Sequence, residues 1–99
     1  MIEDVEITDN EFLRQFELEI GDNMARIEYA LQDRKIFLTK YEMSEDLENQ
    51  GFRDIFIKAV FDEVRNRGIS VMPTSPEVVG FLRKNRRKYK DLLPVGINI

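Results

Sequence analysis

The stretch SEDLENQGFRDIFIKAVFDEVRNRG, from Ser44 to Gly68, decides the fold. Within it Phe52, Ile55, Phe56, Ala59, Val60 and Val64 recur at the spacing of one helical face. Arg53, Asp54, Lys58, Asp62, Glu63 and Arg65 fall mostly on the other side, so the segment reads as an amphipathic helix with one face buried. Arg65 and Arg67 place cations in its last turn, and Gly68 then supplies a residue free to take a left-handed conformation. The residues before the helix, Ser44 to Gly51, read as a strand end and a polar turn carrying one glycine.

Upstream, the period changes from helical to alternating. Phe12, Arg14, Phe16, Leu18 and Ile20 alternate with Gln15, Glu17 and Glu19, which predicts a half-buried strand from Glu11 to Ile20. Gly21-Asp22-Asn23 has hairpin-turn chemistry, and Met24 to Gln32 alternates again, with Ala25, Ile27, Tyr29 and Leu31 on one face. After a second short turn at Asp33-Arg34, the strand Lys35 to Met43 carries apolar residues on both faces. Ile36 and Leu38 alternate with Phe37, Thr39, Tyr41 and Met43, as expected of a strand covered on both sides or lying beside a ligand cleft.

Downstream of the central helix, Ile69 to Met72 is a short apolar run that ends at Pro73, and a parallel crossover strand is its natural reading. Ser75-Pro76-Glu77 then has the signature of a helix start: an N-cap, a proline at the first helical position and an acidic residue after it. That helix runs through Val78, Val79, Phe81 and Leu82 to about Asn85, and the basic stretch to Lys90 follows. Residues 1–10 read as a loose acidic lead-in and residues 94–99 as an apolar tail suited to an edge strand or a weak homodimer contact. The expected architecture is a single α/β (α+β) domain with a mixed sheet and the order β-β-β-α-β-α.

Composition narrows the chemistry. The 99 residues suffice for one core, and the −4 net charge opposes general nucleic-acid binding, which needs a dominant basic field. With no cysteine and no histidine, thiolate and imidazole nucleophiles, bases and zinc ligands are all excluded. Any proton transfer therefore rests on carboxylates, Lys, Tyr, backbone or water. No segment has membrane-spanning length, and the acidic start is unlike a secretory leader, so a cytoplasmic protein is expected.

Three local patterns add a resemblance. Ile36-Phe37-Leu38-Thr39 followed by Glu42-Met43 is similar to the strand before a cofactor loop. Asn49-Gln50-Gly51-Phe52 falls at the place of an Arg/Gln-x-x-Gly-x-Gly/Ala pyrophosphate loop, and Met72-Pro73-Thr74-Ser75 at the place of a Pro-Ser-Cys-Ser motif. Together, in this element order, they resemble the GNAT superfamily of acyl-CoA-dependent N-acetyltransferases, specifically its small stand-alone branch. The chain departs from that pattern with Glu48 in place of Arg, Asn49 and Arg53 in place of small residues, Lys40 in place of His and Ser75 in place of Cys.

The resemblance implies acetyl-CoA (or CoA) as cofactor and a primary amine, on a small molecule or a protein, as acceptor, with no nucleic acid or membrane partner. It places the cofactor at Met43, Gln50, Gly51, Phe52, Arg53, Asp54 and Ile55, with Asn85 beyond. Backbone N–H groups at a helix start bind pyrophosphate through their aligned dipoles, and a glycine lets phosphate approach the backbone. Glu42 is the expected general base, and Ser75 an expected hydrogen-bonding partner of the acyl or amine group as well as a helix cap. Tyr89 is a candidate acid toward the leaving thiolate, and the cations from Lys84 to Lys90 are candidate contacts of the CoA 3′-phosphate. A catalytically inactive domain of the same fold, acting as a CoA-binding or protein-interaction module, is the second expectation.

Overall fold

The computed structural model describes residues 5–94, 96 and 97. Strands β1 (Thr8–Asn10), β2 (Gln15–Ile20), β3 (Asn23–Gln32) and β4 (Lys35–Met43) run antiparallel in succession, and β5 (Ser70–Pro73) joins β4 in parallel. Helix α1 (Glu45–Asn49) leads into the long α2 (Phe52–Arg67), and α3 (Pro76–Lys84), α4 (Arg86–Tyr89) and a 3-10 turn (Lys90–Leu92) follow β5. The mixed α+β architecture expected from the sequence is present, with the crossover from β4 to β5 made by α2. None of the described helices is long and apolar enough to cross a membrane.

The N-terminal region differs from expectation. Residues 8–10 form an edge strand instead of a loose lead-in, and residues 11–14 form a turn instead of strand. The Asn10 side chain accepts from Leu13 N at 3.0 Å, and Arg14 takes a left-handed φ of 54°, so the alternation that seemed to begin at Phe12 is broken. Phe12 is accordingly left in solvent. β1 is anchored by Asp9, which accepts from the Tyr29 hydroxyl at 2.6 Å and from Arg67 at 2.8 Å. Burial and the Asp9 carboxylate push the Tyr29 hydroxyl up to about 12. The tail expectation for Val95 to Ile99 falls largely outside the described residues, as do Met1 to Asp4.

Apart from Phe37, which lies on the outer face between Ile36 and Leu38, the apolar residues of β4 that fall out of phase have one cause. Tyr29 pairs with Leu38 but Glu28 pairs with Lys40, so Thr39 is an extra residue in β4. Such a bulge reverses the side-chain parity of the strand beyond it. Ile36 and Leu38 face the core before Thr39, and Tyr41 faces it afterwards, with Met43 packed at its margin. The strand is therefore covered on one face, and the sequence pattern reflects a change of phase.

That covered face carries α2. Beyond the residues the sequence pattern named, Ile57 and Phe61 are also fully buried, because α2 is enclosed by the sheet on one side and by α3 and α4 on another. Phe61 meets Phe81 and Tyr89 edge-on, with ring centroids 5.3 and 5.2 Å away. Beside the open edge the opposite face of the sheet is polar and registered by charge: Glu17, Arg26 and Glu42 are cross-strand neighbours, as are Gln15, Glu28 and Lys40, whereas toward β5 the same face carries the apolar row Ala30, Phe37 and Met72. Opposite charges directly across a sheet attract, which suits a face left toward water.

Deleting Thr39 would force either Ile36 and Leu38 or Tyr41 and Met43 out of the core. We expect a loss of about 3 kcal/mol or more of folding stability, read as a lowered urea midpoint or as loss of cooperative unfolding. An unchanged midpoint would show that the extra residue does not set the register.

Candidate functional site

The site begins where β4 and β5 part. β5 pairs only with Lys35 to Leu38 and stops at Pro73, which has no N–H to continue the ladder. Thr74 N, Ser75 N and the Thr74 hydroxyl all turn onto the Leu38 carbonyl, at 3.1, 3.2 and 2.9 Å, and the chain leaves the sheet for α3. Residues Thr39 to Met43 run on past that point with β3 on one side only. Ser44 N donates to Met24 O at 3.0 Å, so by the alternation of an antiparallel ladder the backbone groups of Met43 and Tyr41 point to the side that β5 has left. An acceptor or donor in an extended ligand meets a ready strand edge there.

The open edge leads to the α1–α2 joint. The expected polar turn is a single helical turn, capped by the Ser44 hydroxyl accepting from Leu47 N. Gly51, at φ 82°, ends α1 with its N–H on Glu48 O and starts α2 directly. A left-handed residue at this joint is cheap only as glycine. No side chain caps α2, so its first N–H groups lack the usual oxygen partner. Over this joint, Arg53 donates from Nε and Nη2 to the two Glu48 oxygens at 3.0 and 2.7 Å, and its guanidinium lies 5.4 Å from the centre of the Tyr41 ring. The Tyr41 hydroxyl donates to Glu48 Oε2 at 3.2 Å.

Residues 15–92 match the family described as GCN5-related N-acetyltransferase. The chain belongs to that family. No curated protein matches it. Among solved structures it is similar to the solution NMR structure of a GCN5-like protein from Staphylococcus aureus, described as a candidate N-acetyltransferase. The identity is 23%, the TM-score 0.69, and the match covers 98% of this chain and 94% of that one. The second likeness is one of fold.

On this GCN5-related fold the cofactor-site residues singled out from the sequence fall at the α1–α2 joint and in two concavities. Asp54, Ile55 and Asn85 line a cleft of about 180 Å³ between α2 and the α3–α4 segment, together with Tyr89. Glu42 and Met43 line a wider concavity of about 570 Å³, with Gln15, Met24 and Arg26. Gln50 and Gly51 are exposed at the joint, whereas the Phe52 side chain is buried and offers only its backbone. Asp54 is paired with Lys84 at 3.0 Å, which ties the start of α2 to the end of α3.

The side chains singled out as candidates are engaged within the fold, Ser75 as the helix cap the sequence also predicts. Glu42 accepts from Arg26 Nε at 3.0 Å and also bonds Nη2 of the same guanidinium, with Lys40 3.4 Å away. The Arg26 hydrogen bond holds its carboxyl below the usual carboxylate range, so Glu42 is a weak base. Ser75 is buried, accepts from Val78 N at 3.2 Å and donates to Glu77 at 3.2 Å, the geometry of an N-cap. Asn85 donates back to Phe81 O at 2.9 Å. The Tyr89 hydroxyl donates to Asp62 at 3.2 Å, and burial followed by that carboxylate raises it above its ordinary value. Tyr41 is the member of the joint that sequence reasoning did not assign to it, and only the phase change at Thr39 could have pointed it there; Glu48 is placed in the loop by the sequence pattern, but its pairing with Arg53 is not.

Two expectations follow. Ser75→Ala removes the cap and lowers stability by about 1–2 kcal/mol in chemical denaturation, while leaving the ligand-binding surface intact. Glu42 and Glu48 both titrate below the unfolded value, so their pairing stabilises the fold above that value and is lost as pH falls through the lower, folded one. Carboxyl ¹³C titration should show both midpoints below about 4.3, with Arg26→Gln and Arg53→Gln returning them upward.

Proposed function

We propose that this GCN5-related chain binds acetyl-CoA and transfers its acetyl group to a primary amine. The observation that carries the reading is the open β4 edge running from the end of β5 to the uncapped start of α2. On this reading Met43 and Tyr41 offer outward backbone groups to the extended arm of the cofactor. The first N–H groups of α2, from Phe52 to Asp54, face its pyrophosphate, and Gly51 keeps that approach free of a side chain. A Cβ built at Gly51 meets nothing within 4 Å, so the surface there is open to a ligand.

Acetyl-CoA supplies the activated acyl thioester. The chain's own contribution is positioning: fixed backbone dipoles at the strand edge orient the acyl carbonyl and stabilise charge that develops on its oxygen. The amine acceptor, on a small molecule or a protein, would attack the thioester carbonyl directly, forming the C–N bond as the C–S bond breaks, with CoA leaving as a thiolate that takes a proton from water. With Glu42 held by Arg26 and no histidine in the chain, the amine's proton is best released to water.

Calorimetric or amide-shift titration with acetyl-CoA and with CoA tests this. Saturable binding with Kd below about 1 mM is expected, with shifts centred on Met43 and on Gln50 to Ile55. Gly51→Trp should weaken it at least tenfold while retaining a cooperative melt (about 1 kcal/mol of backbone strain is expected at this positive φ). No binding at millimolar cofactor overturns the assignment. Binding without transfer to any of a panel of amines would favour a CoA-binding module instead.

A further inference from the structure

The joint between α1 and α2 contains an ion pair that the transfer reaction does not use. Glu48 and Arg53 are bridged by two hydrogen bonds, at 3.0 and 2.7 Å, and Tyr41 adds a third bond to the same carboxylate at 3.2 Å. The Tyr41 ring, 9% exposed, lies under the guanidinium. Each partner moves the other: the Arg53 hydrogen bond lowers the Glu48 carboxyl, and the Glu48 hydrogen bond raises the Arg53 guanidinium. Arg53 is the only cation on the first turn of α2, beside Asp54.

We infer that Glu48 sets the chain's affinity for its phosphorylated cofactor low, by neutralising Arg53 and folding it back onto Tyr41. This rests on the reading that the cofactor pyrophosphate lies at the start of α2. Arg53 keeps Nη1 outside the two bonds to Glu48, but a carboxylate in direct contact cancels most of the charge a phosphate would feel. The neighbouring cation offers no substitute, because Lys84 is bound to Asp54 at 3.0 Å. An anion approaching this helix therefore meets backbone dipoles and a closed pair. Removing the negative member raises the net charge of the pair by one unit and leaves the Arg53 guanidinium free to turn toward an anion.

Glu48→Gln is the probe. Its amide oxygen still accepts from Tyr41, and a part-exposed ion pair is worth about 0–1 kcal/mol, so the melting temperature should fall only slightly. CoA binding should tighten roughly tenfold, with a gain that shrinks as added salt screens the freed guanidinium. Arg53→Gln should weaken binding, and Glu48→Gln on that background should recover only a small part of its gain, because its effect acts through Arg53. Equal or weaker binding by Glu48→Gln overturns the inference. An equal gain with and without Arg53 also overturns it, since Glu48 would then act by repulsion alone. If neither the parent chain nor any variant binds CoA, the cofactor reading itself falls and takes this inference with it.

Discussion

β4 has to serve two neighbours that want different lengths of it. β3 needs its whole run from Lys35 to Met43, whereas β5 can pair only as far as Pro73, opposite Leu38. Thr39 falls immediately after the shared part. With the extra residue there, Tyr41 and Met43 return to the core face just where the parallel neighbour ends, and their backbone groups point into the gap. Neither feature suffices alone. A continuing β5 would consume the open edge, and an unbulged β4 would turn its apolar residues toward water.

Packing and charge divide the work around that edge. Phe52, Phe56, Ile57, Val60, Phe61 and Val64 are all buried on α2, and burying each such side chain is worth about 1.5–3 kcal/mol. Surface ion pairs such as Lys84–Asp54 are worth about 0–1 kcal/mol each. The apolar contacts therefore fix where α2 begins, and the ion pairs decide what electrostatic face that beginning shows to an anion.

The sequence made legible whatever depends on near neighbours. The long helix, the Ser75 cap with Pro76 after it, the Gly21 hairpin and the alternating β2 and β3 are all set by residues a few positions apart. What it hid depends on distant partners. Glu42 has its base strength reduced by Arg26, sixteen positions away in sequence but opposite it in the sheet. Ile57 and Phe61 lie off the single face that the helical spacing picks out, and are buried because the chain after β5 closes over them. Phe12 was misplaced because a left-handed Arg14, which no propensity anticipates, breaks a run that otherwise alternates well. The candidate site follows the same division: the glycine at the joint was visible, but the pairing of Glu48 with Arg53 across it was not.

The polar sheet face completes the argument about chemistry. Over β2, β3 and the end of β4 its carboxylates and cations are registered against each other, which keeps that part of the sheet compatible with water without a second helical layer. The same economy extends to the open edge. Glu42 is held by Arg26, Glu48 by Arg53, Asp54 by Lys84, and Tyr89 by Asp62. Those four groups, already engaged, have little proton-transfer capacity to offer, whereas the strand edge and helix start are rigid arrays of backbone dipoles. If acyl transfer occurs here, most of its acceleration must come from orientation and fixed dipoles, a division that small catalytic scaffolds can sustain because neither requires a particular side chain.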